Sequence, residues 1–564
     1  MKIVVVGINA RYTHSCLACF YLRQEVETHL PDAELVIRQF TINDPRYEIV
    51  QQLAGEAADY LFFSALIWNS ELLEQIIDDL LVISDTLRIV VGGPQAEAVG
   101  SHGVVEWDRV CFFSGAIETA GSDFYRDLHQ YTLPRNYRAP SFLGAGKPLI
   151  CPYRPEDFTG PLANRAVYYE SSRGCPFACS YCLSSAERGL YHKDLDQVRA
   201  ELSAILVHRP KTLRFVDRTF NDLPQRALAI WRFLVEQDGP TLFHFELAPD
   251  RFTEEMFAFL ETVEAGRFQF EIGLQSTNPS TLAAIKRPVD PEIAAETIRR
   301  LRCLETIHLH VDLILGLPLE TAATFARSLN EAFAMEPHYI QMGLLKILPG
   351  TEMAAAARVH DYRFSARPPY PVFANCWLDA SALRELYGLG ECLERFVNNR
   401  YFVALWRYLV AGGEDMAMFF RGLTELYLRR VSAGAATTQD TLSGLLLEQL
   451  GGRVDTDLCR ELLIYDWLRC GHRFLPDHLQ QQGVTLEGLR DEAYRQLPAV
   501  VDGFFDRQGR SRFIKQQIFY RFSPRLLSQL GFDDRPDRAV LCFLVQREDR
   551  VFGLQKTALL AMSG

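Results

Sequence analysis

The sequence predicts an α/β protein in three parts: an N-terminal doubly wound parallel sheet, a central partial barrel of six strand-helix units, and a mostly helical C-terminal region. Three observations predict it. Short β-branched and aromatic runs alternate with helical patterns from residue 1 to about residue 350. Glycines and polar turns close these strands. After about residue 380 the alternation stops, and long stretches carry apolar residues at helical spacing. The 564 residues are enough for three or four domains, and a hydrophobic fraction of 48% supplies sizeable cores.

The first expected domain spans residues 1–150. Ile3–Val6, Leu35–Phe40, Tyr60–Leu66, Ile89–Val91 and Arg109–Phe113 read as strands. Thr13–Leu30 and Glu71–Val82 read as helices between them. The strands end in Gly7-Ile8-Asn9, Ser64-Ala65, Gly92-Gly93-Pro94 and Ser114-Gly115. Ligands of open parallel sheets bind at such carboxyl ends. Residues 134–164, rich in proline and glycine, read as a linker.

The second expected domain spans residues 165–375. Its strands are Ala166–Tyr169, Thr212–Asp217, Leu242–Leu247, Phe268–Leu274, His308–Leu315 and Tyr339–Leu345. Helical patterns at Leu195–Val207, Gln225–Gln237, Glu254–Thr262 and Pro291–Cys303 lie between them. Six such units suit a partial (β/α)6 barrel of the TIM type, with its site at the strand C-terminal ends. The third expected domain, residues 380–564, holds helices at Leu383–Asn398, Phe402–Val410, Met416–Arg430 and Thr441–Leu450. Phe513–Phe522 and Val540–Arg547 read as strands of a small sheet.

Net charge is −12, which argues against a nucleic-acid partner. No run of 18 or more apolar residues occurs, so no membrane span is expected. MKIVVVGINA reads as a first strand and not as a signal peptide, which points to a cytoplasmic chain. In that compartment the 13 cysteines read as thiols or metal ligands rather than disulfides. His14 and the Cys16–Cys19 pair open the first helix. Without the strand-turn context of a thioredoxin they read as packing residues.

Cys175, Cys179 and Cys182 form a C-x3-C-x2-C run directly after the strand Ala166–Tyr169. A loop this tight brings three thiolates to one metal centre. A closed zinc site or a plain cubane takes four protein ligands, so three leave one iron of a four-iron cluster open. Strand geometry adds a polar row: Glu271, Gly273 and Gln275 share one face of their strand, as do His244 with Glu246 and His310 with Asp312.

These features together resemble the radical-SAM superfamily, in the branch that carries a cobalamin-binding domain. The strings Phe215-Val216-Asp217-Arg218-Thr219-Phe220-Asn221, Glu271-Ile272-Gly273-Leu274-Gln275-Ser276, Asp312-Leu313-Ile314-Leu315-Gly316-Leu317-Pro318 and Leu348-Pro349-Gly350-Thr351 carry the resemblance beyond the cysteines. It implies a 4Fe-4S cluster on Cys175, Cys179 and Cys182, and S-adenosylmethionine held by Tyr181, Asp217, Arg218, Glu271 and Gln275. The first domain resembles the Rossmann-like cobalamin domain of that branch, through Ser64 to Asn69, Val91 to Gln95 and Ser114 to Glu118. Ser64, Asn69, Gly92, Gly93 and Gly115 are its implied cobalamin contacts. The D-x-H-x-x-G string that supplies histidine to cobalt in methionine-synthase-type domains is absent. The C-terminal region resembles an uncharacterised domain found on some proteins of this branch.

The implied activity is cleavage of S-adenosylmethionine to a 5′-deoxyadenosyl radical, with methylation of an unactivated carbon. The alternatives are radical rearrangement, oxidation or cyclisation without methyl transfer, and a non-catalytic redox or cobalamin sensor. The implied partners are a small-molecule or peptide substrate and an electron donor such as flavodoxin or ferredoxin. No residue is singled out as catalytic.

Overall fold

The computed structural model describes residues 1–99, 107–185, 189–431, 437–532, 539–547 and 554–563. Six strands build the first sheet: β1 (Lys2–Asn9), β2 (Glu34–Thr41), β3 (Tyr60–Ser64), β4 (Arg88–Gly92), β5 (Val110–Ser114) and β6 (Asn136–Arg138). Their order is β2-β1-β3-β4-β5-β6, and every pairing is parallel. Strand order reverses its direction of travel between β1 and β3, the switch point of a doubly wound sheet.

The alternation along β1 explains the layering. Val4 and Val6 pack with Ile49, Leu53, Leu73 and Ile77 on one face. Ile3 and Val5 pack with Phe20, Val26 and Phe124 on the other. Both faces are thus covered, as a parallel sheet requires. The helix expected at Thr13–Leu30 runs Leu17–His29, with Cys16 at its N-cap.

The stretch read as a linker is more structured than its composition suggests. Its residues Asn136–Arg138 add β6 to the edge of the sheet. A short 3-10 turn at Pro155–Phe158 presents Asp157, which forms a buried ion pair with Arg23 at 2.6 Å. Proline and glycine mark turns, and here the turns are fixed by that pair.

The second sheet holds β7 (Val167–Tyr169), then, after a hairpin of β8 (Ser172–Cys175) and β9 (Gly189–His192), β10 (Thr212–Phe215), β11 (Leu242–Leu247), β12 (Phe268–Gln275), β13 (His308–Leu315) and β14 (Tyr339–Leu344). The order β14-β13-β12-β11-β10-β7 is parallel throughout and open between β7 and β14, a partial barrel. Along β12 and β13 buried apolar residues alternate with partly exposed ones, polar except for Gly273 and Ile314. The apolar set faces the outer helices, and Phe245, Phe268, Phe270 and Trp231 stack there. The polar set faces the interior.

Beyond the barrel, a short hairpin of β15 (Arg363–Phe364) and β16 (Val372–Ala374) leads into helices at Ala380–Phe396, Val403–Ala411, Met416–Arg430, Gln439–Gln449 and Thr456–Arg469. A three-stranded antiparallel sheet of β17 (Ile518–Tyr520), β18 (Ala539–Arg547) and β19 (Gln555–Ala561) closes the chain. The expected strand Phe513–Phe522 is half helix: Arg510–Gln516 is helical, and only Ile518–Tyr520 pairs. Among the described residues no helix is long and apolar enough to cross a membrane.

Candidate active site

The antiparallel hairpin β8–β9 flanks the cysteine loop and holds its base. Asp217 fixes that base: its carboxylate accepts hydrogen bonds from the Ser171 amide at 3.0 Å and from the Ser171 and Ser172 hydroxyls at 2.6 Å each. Its side chain is buried and fully engaged. Asp217 therefore positions the loop from below; the sequence reading gave it as a contact to S-adenosylmethionine. Burial pushes its carboxyl up, against the pull of the serine bonds.

The loop itself is tied down at three places. Ser185 Oγ donates to the carbonyls of Cys179 at 2.9 Å and Cys182 at 2.6 Å. The Ser180 amide donates to Ile285 O at 3.1 Å, and the Met353 amide to Ser180 O at 2.8 Å. Phe177, at the loop tip, lies between the guanidinium groups of Arg251 and Arg287, 5.0 and 5.3 Å from its ring centre.

All three cysteines open into one cleft of about 180 Å³ at the strand C-terminal ends. Tyr181, Arg218, Glu246, Glu271, Gln275, Arg287 and Asp312 complete its wall. Tyr181, Arg218, Glu271 and Gln275 are thus brought together with the cysteines. Gln275 has a left-handed backbone (φ 68°) and folds its amide over Gly273. Glu271 accepts from His244 Nε2 at 3.1 Å, and that bond pulls its carboxyl below the usual range.

Three wall residues were not singled out from the sequence as contacts. Arg287 donates to Cys179 Sγ at 3.9 Å and to Gly273 O at 2.6 Å. Burial pushes Glu246 up to about 7. Asp312 is pushed well above the ordinary carboxylate range by burial, then by the charges of Glu271 and Glu246. The alternation of β11 and β13 carried the signal for Glu246 and Asp312. Arg287 follows a short helix with no motif around it.

Cys175, Cys179 and Cys182 open into one cleft, a donor set that suits three irons of one cluster. The cleft also fits an amino-acid ligand: Asp312 Oδ1 and Arg287 Nε are buried without hydrogen-bond partners among the described residues. Such orphaned groups call for a polar occupant.

A second cleft, of about 320 Å³, opens at the switch point of the first sheet. Ser64, Gly92, Gly93 and Gly115 line it with Phe62, Val90 and Ile117. The glycines divide by role. A Cβ on Gly93 (φ 95°) would lie 2.6 Å from Ala65 O, and one on Gly115 (φ 100°) 2.4 Å from Ala139 O. Both let neighbouring loops touch. A Cβ on Gly92 would meet only Phe113 O at 3.9 Å, so this glycine leaves real room. Asn69 stands outside the wall: its Oδ1 accepts from the Leu66 amide at 2.7 Å, and its Nδ2 donates to Ile8 O and Ser64 O at 3.0 Å each. It shapes the loop; the sequence reading gave it as a direct contact to cobalamin. The mostly apolar, glycine-edged wall fits a flat organic group.

The hairpin lines both clefts. Arg173 on β8 lines the second cleft, and Cys175, two residues on, lines the first. Arg173 also bridges the domains, with Glu118 of the first and Glu170 of the second both at 2.8 Å.

Comparison with known proteins agrees with this geometry. The model of the radical SAM superfamily matches residues 169–332. The chain carries a radical SAM domain. A second model, a protein of unknown function (DUF4080), matches residues 358–499. The chain is 26% identical over 250 residues to 2-(S-pantetheinyl)-carbapenam-3-carboxylate methyltransferase of Streptantibioticus cattleyicolor, which is 42% of this chain and 35% of that one. It is 27% identical over 212 residues to the cobalamin-dependent radical SAM methyltransferase TokK of Streptomyces tokunonensis, covering 36% and 30%. The chain thus spans about a third of the length of these curated relatives. In fold it is similar to the cobalamin-dependent S-adenosylmethionine radical enzyme OxsB with aqua-cobalamin bound, with a TM-score of 0.55, 12% identity and coverage of 82% and 80%. It is also similar to the radical S-adenosylmethionine methyltransferase TsrM of Kitasatospora setae with cobalamin and a [4Fe-4S] cluster bound, with a TM-score of 0.52, 16% identity and coverage of 76% and 98%. The radical SAM domain and its preceding sheet therefore share the architecture of both.

Proposed function

We propose that this chain is a cobalamin-dependent radical SAM enzyme that methylates an unactivated carbon of a small molecule or peptide. The observation that carries the reading is the shared hairpin: Arg173 lines the second cleft and Cys175 the first, which would bring groups held in the two clefts to one short strand. When bound, the cluster and S-adenosylmethionine supply a 5′-deoxyadenosyl radical, and cobalamin supplies the methyl group.

The chain's own residues divide the remaining work. Cys175, Cys179 and Cys182 would hold the cluster through three irons. Burial pushes the Cys179 thiol up, and the charge of Arg287 beside it opposes that rise. Arg218 and Arg287 face the carboxylate of an amino-acid ligand, and Glu246, Glu271 and Asp312 face its ammonium. Tyr181 offers a ring to an adenine. Ser64, Gly92 and Ile117 hold the group in the second cleft.

The test uses the full chain reconstituted anaerobically with iron, sulfide and cobalamin, then given reductant and S-adenosylmethionine labelled in its methyl group. Both 5′-deoxyadenosine and S-adenosylhomocysteine are expected, with label on cobalamin. Deoxyadenosine alone, with no label moved, would overturn methylation and leave a radical rearrangement or oxidation.

A further inference from the structure

The interior of a closed strand-helix barrel is filled by packed side chains. That of the second sheet is not. On all six strands the interior-facing residues are partly or fully exposed, with His244 as the buried exception. The space below the cysteine cleft is therefore an open chamber, with its gap between β7 and β14. Register places Arg214 low in it. Tyr168, Arg214, His244 and Gln269 pair in one row across β7, β10, β11 and β12. Glu246, in the wall of the cleft, follows two residues later on β11, or ~7 Å further up the strand.

Arg214 is a cation without an acceptor. Its Nη2 lies 3.1 Å from His244 Nε2 and 3.9 Å from the Glu271 carboxylate. His244 Nε2 donates to Glu271 at 3.1 Å, so it has no lone pair to offer Arg214. The arginine side chain is 31% exposed. A second arginine comes from the first domain, on the loop between β1 and the helix Leu17–His29. This loop runs beside β7. The Ala166 amide donates to Thr13 O at 2.7 Å, Ser15 Oγ donates to Ala166 O at 2.8 Å, and the His14 ring stands edge-on to Tyr168 at 6.2 Å. Burial, then the charges of Arg214 and Arg11, push the His14 imidazole below its usual range. Burial and Glu394 push the Tyr339 hydroxyl of β14 up, and the charge of Arg11 opposes them. Arg11 thus bears on both sides of the gap. It is exposed, and its side chain has no hydrogen-bond or ion-pair partner among the described residues.

We propose that Arg214 and Arg11 hold the carboxylate of the substrate in this chamber, so that the substrate is a carboxylic acid whose reacting carbon lies ~7 Å above its charged end. Guanidinium forks match a carboxylate with paired hydrogen bonds. Arg218 and Arg287, in the cleft above, face the carboxylate of S-adenosylmethionine, which leaves Arg214 and Arg11 for a second acid. The reacting carbon rests on the methylation proposed above, and the anchored charge on the chamber itself.

The experiment measures binding without reductant or methyl transfer, so its failure is distinct from failure of the labelled-methyl assay. The full chain, reconstituted with iron, sulfide and cobalamin and given S-adenosylmethionine, is titrated with hexanoate or hexanamide, read by saturation-transfer NMR. Inorganic phosphate serves as competitor. Hexanoate is expected to bind roughly tenfold or more tightly than hexanamide. That margin is expected to vanish in Arg214→Gln and to return in part in Arg214→Lys. Arg11→Gln is expected to weaken hexanoate at an unchanged melting temperature, since Arg11 is exposed and has no partner to lose among the described residues. Equal binding of hexanoate and hexanamide, or no binding of hexanoate, would overturn the anchor. So would hexanoate binding that either folded glutamine variant leaves unchanged. Displacement of hexanoate by equimolar phosphate would overturn the carboxylate class in favour of phosphate esters.

Discussion

Arg287 shows what a single side chain contributes here. Its guanidinium bonds Cys179 Sγ at 3.9 Å and Gly273 O at 2.6 Å, and it flanks Phe177. Arg287→Met removes a charged donor from both partners, worth ~1.5–3 kcal/mol. Deoxyadenosine release per iron-loaded chain is then expected to fall roughly 10- to 100-fold. Unchanged release would show that the thiolates need no cation. The residue scale is also where sequence reasoning reached least far. A buried Asp or Asn beside a strand end reads the same whether it meets a ligand or the backbone. Asp217 and Asn69 both meet the backbone, through Ser171 and through Leu66, Ile8 and Ser64. Only the folded chain separates such framework residues from Glu271 and Gln275, which do face the cleft.

At the scale of elements the sequence is far more legible. Leu242–Leu247, His308–Leu315 and Pro291–Cys303 have the bounds that periodicity assigns. A residue facing packed helices must be apolar and its neighbour facing the interior need not be, which writes the strand into the sequence. The hairpin β8–β9 is not written this way: Ser172-Arg173-Gly174-Cys175 shows no alternation of buried and exposed residues. β6, three residues long, has too little length for a period. The glycines give a test at this scale. Gly115→Ala forces a Cβ to 2.4 Å from Ala139 O at φ 100°. Strain of that kind costs ~1–3 kcal/mol, so its melting temperature is expected to drop. Gly92→Ala, with open space at 3.9 Å, is expected to melt within error of the native chain but to take up less cobalamin. Equal losses of stability in both variants would contradict this division.

The whole molecule is held together by contacts that cross its parts: Arg23 with Asp157, Arg173 with Glu118, and Tyr21 with Glu170 at 3.2 Å. Its buried acids set a pH dependence. Asp466 accepts from the Ala404 and Leu405 amides at 3.0 Å each, and burial pushes it up to about 7 from an ordinary 3.8. Glu320, which accepts from Ser276, is pushed by burial to about 7 from 4.5. Below the ordinary values both states hold the proton. Above them the unfolded chain releases it first, so the folded state loses stability until pH passes about 7. Each tenfold difference in proton affinity between the two states is worth ~1.4 kcal/mol. His308, His310 and His338, whose pKa values burial lowers, act in the opposite direction as pH falls, so the test compares variants: the melting temperature of Asp466→Asn is expected to rise relative to that of the native chain between pH near 5 and pH near 8. A difference between the two that stays constant across this window would contradict the assignment.

The radical chemistry depends on Cys175, Cys179 and Cys182 holding a four-iron cluster with one iron open to S-adenosylmethionine. Electron paramagnetic resonance of the reduced, reconstituted chain tests this most directly. Four irons per chain and a spectrum whose g-values shift on adding S-adenosylmethionine are expected, with the signal lost in Cys179→Ala. A cluster signal that S-adenosylmethionine leaves unmoved would mean that the fourth iron is closed, and the proposed reaction would have no first step.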